Sequence, residues 1–173
     1  MAKKQDLGVF DFAVKAEKDG MDFYMKAAKK FAADEDLKNL FVGLAKEEAA
    51  HMKIFLDFKA QAEGKGVDQF LKSPEIDAYL ESIVQEGLFP KGDTVNKRLE
   101  KVETVAQAAA VAMAAEKNAI LLYTELAKLS RDKSQKKFFE KIAKEEKSHV
   151  VMVANLRADH DPAYAALRFG RFF

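Results

Sequence analysis

The two halves of the chain carry the same set of side chains that can bind metal ions. In each half a single glutamate is followed, about thirty residues later, by a Glu-x-x-His motif. Four carboxylates and two imidazoles suit a pair of iron or manganese ions. The repeat therefore indicates an internal duplication and predicts a dinuclear metal site. The candidate ligands are Glu17, Glu48 and His51 in the first half and Glu116, Glu146 and His149 in the second.

The composition excludes several classes of function. Lys and Arg together number 29 and Asp and Glu together 28, so the formal net charge is only +1. Such a chain has no strong field to attract nucleic acid or an anionic membrane, and we expect neither partner. The chain has no cysteine, which excludes disulfides, thiolate metal sites, iron–sulfur clusters and cysteine nucleophiles. Any metal ion must therefore be held by carboxylates and imidazoles.

The distribution of apolar residues predicts a cytoplasmic protein. The first six residues are largely polar, and no apolar stretch behind them is long enough for a signal peptide. The longest apolar stretch, Val105 to Ala115, is far shorter than the roughly 20 residues that span a membrane. We therefore expect a soluble protein with no membrane partner.

Apolar residues recur at alternating steps of three and four along four segments, which predicts four helices and no strands. The candidate ligands lie within these apolar stripes, so they should be buried. Thr104 to Gln107 match a capping box before the third helix, and Asp161-Pro162 should follow the end of the fourth. Short turns within each half predict two antiparallel helical hairpins.

A long connection between the hairpins determines the expected topology. It lets the second and third helices run parallel, which is the ferritin-like arrangement. Ser73-Pro74 and Gly87 predict a short extra helix within it. We therefore expect an all-α, ferritin-like four-helix bundle that forms a single domain over residues 1–173. Its expected segments are a hairpin over about 6–63, a crossover over about 64–103, a second hairpin over about 104–158 and a tail over 159–173.

The predicted buried charges require compensation. A single histidine on an apolar stripe is usually a satisfied core residue, but here two occur in matching positions beside four glutamates. Burying one ionised carboxylate costs several kcal/mol, and four together would exceed a net domain stability of roughly 5–15 kcal/mol. No lysine or arginine lies on the four stripes, whereas two divalent ions would balance four negative charges. The charge balance therefore also favours a pair of metal ions.

The ligand pattern resembles that of the ferritin-like di-iron and di-manganese carboxylate proteins, in which two helices give one Glu each and two give Glu-x-x-His. From about Phe10 to Leu156 the chain is similar to the rubrerythrins. The resemblance implies two iron ions per chain, replaceable by manganese or zinc, that react with hydrogen peroxide or O₂. It also implies that Tyr24 and Tyr123 flank the irons as catalytic side chains, although both could equally be core aromatics.

Two departures from the rubrerythrin pattern affect the expected function. Rubrerythrins carry a rubredoxin-like domain that binds iron through four cysteines, and this chain has no cysteine. We therefore expect a separate electron-transfer protein as the electron donor. Rubrerythrins also carry a further glutamate one turn after the ligand of the third helix, where this chain has Ala119. The remaining six positions form a symmetric set shared with bacterioferritin-like proteins.

Three functions are compatible with this pattern. The first is a non-haem di-iron peroxidase of the rubrerythrin type, active in oxidative stress. The second is a ferroxidase that oxidises and handles Fe(II), and the third is a non-enzymatic metal-binding bundle. The sequence leaves the oxidant, the native metal and the donor open.

Other features of the sequence concern the surroundings of the site and the assembly. Glu47 and Glu145 either face solvent or orient the candidate histidine ligands. His160 should lie on the surface. We expect a homodimer or a higher homo-oligomer, because the crossover and the tail from Arg168 to Phe173 add more apolar surface than one bundle can cover.

Overall fold

The computed structural model describes residues 9–62, 99–130 and 132–170, and within these ranges the chain forms helices and no strand. The all-α prediction is therefore confirmed. The predicted crossover helix at Ser73 to Gly87 lies outside the described residues. The helices are α1 (Val9–Lys30), α2 (Glu35–Ala62), α3 (Val105–Leu129), α4 (Lys133–His160) and α5 (Pro162–Phe169).

Each half of the chain is an antiparallel hairpin, with α1 packed on α2 and α3 packed on α4. Matching aspartates begin the second helix of each hairpin. The Oδ1 atom of Asp34 accepts hydrogen bonds at 3.1 Å from the backbone N–H groups of Asp36 and Leu37. The Oδ1 atom of Asp132 accepts two at 2.8 Å from Ser134 and Gln135. These caps satisfy backbone donors that the first turn of a helix leaves unpaired.

The predicted capping box of α3 is present. Thr104 Oγ1 accepts a hydrogen bond at 3.2 Å from the Gln107 backbone N–H. In return, Gln107 Oε1 accepts one at 3.2 Å from the Thr104 backbone N–H. This reciprocal pair fixes the start of the helix that carries Glu116.

The core consists of two apolar clusters along the bundle. One contains Phe10, Phe55 and Phe139 and lies towards the start of α1. The other contains Leu37, near the start of α2, and Leu99, which lies shortly before α3. Because α2 and α3 both begin at this second cluster, they run parallel, as the predicted ferritin-like topology requires. Lys30 Nζ donates a 2.7 Å hydrogen bond to the Leu99 carbonyl at the same end.

The tail contains a helix that the sequence did not predict. Asp161-Pro162 does end α4, but Asp161 also caps α5 by accepting a 3.0 Å hydrogen bond from the Tyr164 backbone N–H. Proline is favoured at the first position of a helix, so it starts α5 as well as following α4. Arg157 lies 4.3 Å from the centre of the Tyr164 ring and holds α5 against α4.

The apolar character of α3 extends beyond the stretch noted in the sequence. By length and composition, α3 could cross a membrane, with a mean hydropathy of 1.2. However, it packs against α4 and buries Glu116, Leu122 and Leu126 in the bundle. A core helix of a helical bundle can have the same length and composition.

Replacement of Thr104 by alanine should destabilise the fold, because it removes the acceptor at the start of α3. We expect the free energy of unfolding to fall by about 1 kcal/mol, measured by denaturant unfolding of the metal-free protein. Thr124→Ala is the matched control, since the same substitution inside α3 removes no cap. Equal stability of the two variants would contradict this role.

Candidate metal centre

The structure brings all six candidate ligands together in the middle of the bundle. Glu17 comes from α1 and Glu116 from α3, while α2 and α4 each contribute a glutamate and a histidine one turn apart. Residues three apart lie on the same face of a helix, so both side chains of each motif face inward. Each of the six residues is at most 5% exposed.

The six side chains form two overlapping groups whose ligand atoms lie within 4.8 Å of one another. Glu48 and Glu146 belong to both groups, which therefore share two carboxylates. This is the arrangement that two neighbouring cations with bridging carboxylates would need. The first group is Glu17, Glu48, His51 and Glu146, and the second is Glu48, Glu116, Glu146 and His149.

The two histidines present Nδ1 to the carboxylates. His51 Nδ1 lies 3.1 Å from Glu146 Oε1 and 3.4 Å from Glu17 Oε2. His149 Nδ1 lies 2.8 Å from Glu146 Oε2 and 3.5 Å from Glu116 Oε2. Nδ1 is therefore the imidazole nitrogen available to an ion at the centre.

The outer nitrogen of each histidine meets a glutamate from the other hairpin. His149 Nε2 is 2.8 Å from Glu47 Oε2, and His51 Nε2 is 3.2 Å from Glu145 Oε2. The sequence had left the role of these two glutamates open. A carboxylate beside Nε2 favours the tautomer with its proton on Nε2, which leaves the Nδ1 lone pair facing inward.

The two tyrosines also make contacts between hairpins. The Tyr24 hydroxyl donates a hydrogen bond to Glu116 Oε1, and the Tyr123 hydroxyl donates one to Glu17 Oε1. Each phenol thus contacts the single glutamate of the opposite half. Both are fully buried and hydrogen-bonded to candidate ligands, and their catalytic role stays a prediction.

Burial and charge alter the pKa of every tyrosine in the centre and of most carboxyl groups there. Burial, with Glu48 as a further cause, raises the pKa of Glu17 well above its usual value. Burial likewise raises the pKa of Glu116. For Tyr24 and Tyr123, burial followed by the negative charge of the facing glutamate raises the pKa. These shifts show that the ionised forms are poorly solvated in this pocket of the bundle.

The histidines and Glu146 show the opposite balance. Burial acts to lower the pKa of His51, but Glu146 and Glu17 outweigh it and raise the pKa to about 11. The pKa of His149 is raised in the same way, against burial, by Glu116 and Glu146. Burial acts to raise the pKa of Glu146, but His149 and His51 lower it to about 2. Each histidine and Glu146 thus stabilise one another's charged forms.

Unpaired atoms provide a direct test of whether these residues suit metal ions. In the part of the chain that the structure describes, seven buried side-chain atoms have no hydrogen-bond partner. Five of these atoms lie in the cluster, and all five face the other candidate ligands. Buried polar atoms are normally paired, so such a concentration indicates a missing electropositive partner. The five are Glu17 Oε2, His51 Nδ1, both carboxylate oxygens of Glu146 and His149 Nδ1.

A small cavity adjoins the centre on the side of α1 and α3. Its volume is about 20 Å³, enough for roughly one water-sized molecule. Gly20 and Ala119, each one turn after a candidate ligand, leave this space free. Sequence reasoning missed Gly20, although a glycine inside a predicted helix, three residues after Glu17, was a visible signal.

Paired helical hairpins that enclose four carboxylates and two histidines define the class of ferritin-like di-metal carboxylate proteins. The model of the Rubrerythrin family matches residues 9–157 of this chain. The chain therefore belongs to the rubrerythrin family, as the resemblance predicted. Searches of curated proteins and of solved structures gave no match. Family membership and the buried Glu/His cluster together suit a di-iron site.

Replacement of Glu47 and Glu145 by glutamine should weaken metal binding although neither residue faces the centre. Glutamine lacks the carboxylate charge that orients the Nε2 atom of each histidine. The affinity for Co(II) should therefore fall roughly 10–100-fold. The measurement is a cobalt titration followed by visible absorption. Asp57→Asn and Glu140→Gln, at exposed positions of α2 and α4, are the matched controls. Affinities equal to those of the controls would exclude this role.

Proposed function

We propose that the protein is a non-haem di-iron oxidoreductase that reduces hydrogen peroxide with electrons from a separate protein. The observation that supports this most strongly is the pair of overlapping buried groups that share Glu48 and Glu146. A single structural ion needs about four ligands, whereas six converge here. The arrangement therefore favours reactive chemistry at two ions over a purely structural role.

Each residue of the centre has a proposed role in holding the metal. Glu17 and His51 would hold one ion, Glu116 and His149 the other, and Glu48 and Glu146 would bind both. Two ferrous ions would supply one electron each, and with two protons from solvent these electrons would convert one hydrogen peroxide to two molecules of water. Zinc or manganese is expected to replace iron readily, since carboxylate and imidazole ligands also suit these ions.

The surrounding residues control protons and water. The Tyr24 hydroxyl holds a proton at Glu116 Oε1, and the Tyr123 hydroxyl holds one at Glu17 Oε1. Apolar clusters on both sides of the centre exclude bulk water, which strengthens electrostatic interactions there. The cavity of about 20 Å³ holds roughly one water-sized molecule, so peroxide or O₂ would need only a small adjustment of its walls, whereas larger substrates would need a large one.

The electron donor is proposed to be a separate electron-transfer protein. The 173 residues contain no cysteine, so they provide no thiolate ligands for a further iron beside the two of the centre or for an iron–sulfur cluster. Reducing equivalents must then reach the centre through the bundle from a docked partner.

Ferroxidase activity is the alternative that a specific observation favours. The Glu47 side chain is 56% exposed and contacts the fully buried His149. It thus offers a carboxylate between solvent and the centre, where an incoming Fe(II) ion could bind first. The symmetric ligand set, with Ala119 in place of a further glutamate, is also compatible with Fe(II) oxidation.

Replacement of His51 or His149 by alanine should lower the metal content from about two ions per chain, because each loses an Nδ1 ligand. Metal analysis after anaerobic iron loading measures this. His160→Ala is the control, since His160 is exposed at the end of α4. The ligand assignment fails if all three variants retain the same metal content.

The reduced, iron-loaded protein should react faster with hydrogen peroxide than with O₂. Peroxide needs only the two electrons of the centre, whereas O₂ needs four to reach water. Anaerobic stopped-flow mixing with each oxidant, followed by absorption, compares the two rates directly. Faster oxidation by O₂ together with turnover of added Fe(II) would instead establish the ferroxidase alternative.

A cytoplasmic homo-oligomer is the proposed form of the protein. Leu167 and Phe169 of α5 are 66% and 65% exposed, and apolar side chains this exposed on one short helix favour burial against another copy. Light scattering coupled to size exclusion should give a mass of at least two chains at micromolar concentration. A purely monomeric mass would refute this proposal.

A further inference from the structure

The two shared carboxylates are not equivalent, although the halves of the chain repeat each other. Glu146 lies 3.1 Å from His51 Nδ1 and 2.8 Å from His149 Nδ1. Glu48 lies farther from the same two atoms, at 3.9 Å and 3.5 Å. Glu146 therefore lies between both histidines at ion-pair distance, although these contacts lack hydrogen-bonding geometry, while Glu48 lies farther from them.

Gly20 occupies the position next to the displaced carboxylate. A Cβ atom on Gly20 would lie 3.3 Å from Glu48 Cδ and 3.5 Å from Glu48 Cγ. The closer distance falls below the ordinary carbon contact of about 3.5–4.0 Å. Any residue with a Cβ at position 20 would therefore press on the Glu48 side chain, which would have to shift by a few tenths of an ångström.

The internal repeat is broken at this position. The single glutamates, the tyrosines, the outer glutamates and the Glu-x-x-His motifs are the same in both halves. Gly20, three residues after Glu17, instead corresponds to Ala119, three residues after Glu116. Glycine in a helix interior makes the helix less stable than alanine does, so helix stability does not explain why α1 has glycine at position 20.

The cavity beside the centre shows the same asymmetry. Its walls include Glu48 and Gly20 on one side and Ala119 on the other, whereas Glu146 is not part of them. A small molecule that enters the cavity therefore meets Glu48 as the nearer shared carboxylate. Of the two, Glu48 alone borders this cavity.

We infer that Gly20 is a positioning residue that lets Glu48, rather than Glu146, yield when a small ligand of two or three heavy atoms enters the cavity. This inference rests on the proposed function, since the ligand would be the oxidant or an anion of similar size. Glu146 remains fixed between the histidines and keeps the two groups together. The duplication thus provides one rigid and one adjustable carboxylate.

Binding of azide to the cobalt-loaded full-length protein tests this role without relying on catalysis. Gly20→Ala should weaken azide binding by about tenfold or more, because the added methyl group overpacks the space behind Glu48. Visible absorption of Co(II) follows the titration, and metal analysis should still find the cobalt content of the unaltered protein. Gly43→Ala is the matched control, since a Cβ atom on Gly43 meets nothing within 4 Å. Ala119→Gly should bind azide at least as tightly as the unaltered protein.

Each outcome of this experiment is decisive. Equal azide affinity in Gly20→Ala and Gly43→Ala overturns the role of Gly20 and leaves the proposed function standing. Equal weakening in Ala119→Gly also overturns it, because the two sides would then be equivalent. Loss of cobalt from Gly20→Ala contradicts it too, since Gly20 would be needed for metal binding itself. If the unaltered protein takes up no cobalt at the six residues, the metal site and this inference both fail.

Discussion

The presence of four glutamates in the apolar centre of a helical bundle is the constraint on which the rest of the structure depends. Each of these residues is at most 5% exposed, and an uncompensated buried carboxylate is costly enough to threaten a small domain. The only positive charges in the cluster are those of His51 and His149 when protonated. Five atoms still lack a hydrogen-bond partner. Two divalent ions would neutralise the carboxylates and give these atoms a partner, so the stability of the bundle and its chemistry would depend on the same interaction.

The same centre also joins the two hairpins. Tyr24 contacts Glu116 and Tyr123 contacts Glu17, so each phenol meets the opposite half. The outer glutamates repeat this exchange, because Glu47 contacts His149 and its counterpart in the second half contacts His51. These polar contacts act together with the two apolar clusters, which also include residues from both hairpins, to set how one hairpin sits on the other. The geometry needed for two ions is therefore fixed by the duplication itself.

The four bundle helices and the six candidate ligands could be predicted from the sequence because both signals are local. A glutamate or histidine within an apolar stripe is visible from spacing alone, and the capping box at Thr104 is a short motif. The pairing of outer glutamates with histidines depends on the register between hairpins, which no local pattern specifies. Helix α5 was missed because Pro162 was interpreted only as a residue that follows a helix end. The asymmetry at Gly20 required the distance to Glu48, which appears only after folding.

Anomalous X-ray diffraction from crystals loaded with Fe(II) or Mn(II) tests the central claim most directly. The account predicts two anomalous peaks per chain, both enclosed by the four-helix centre. One should lie among Glu17, Glu48, His51 and Glu146, and the other among Glu48, Glu116, Glu146 and His149. A single peak, or peaks only at exposed carboxylates, would show that the buried cluster is not a dinuclear site.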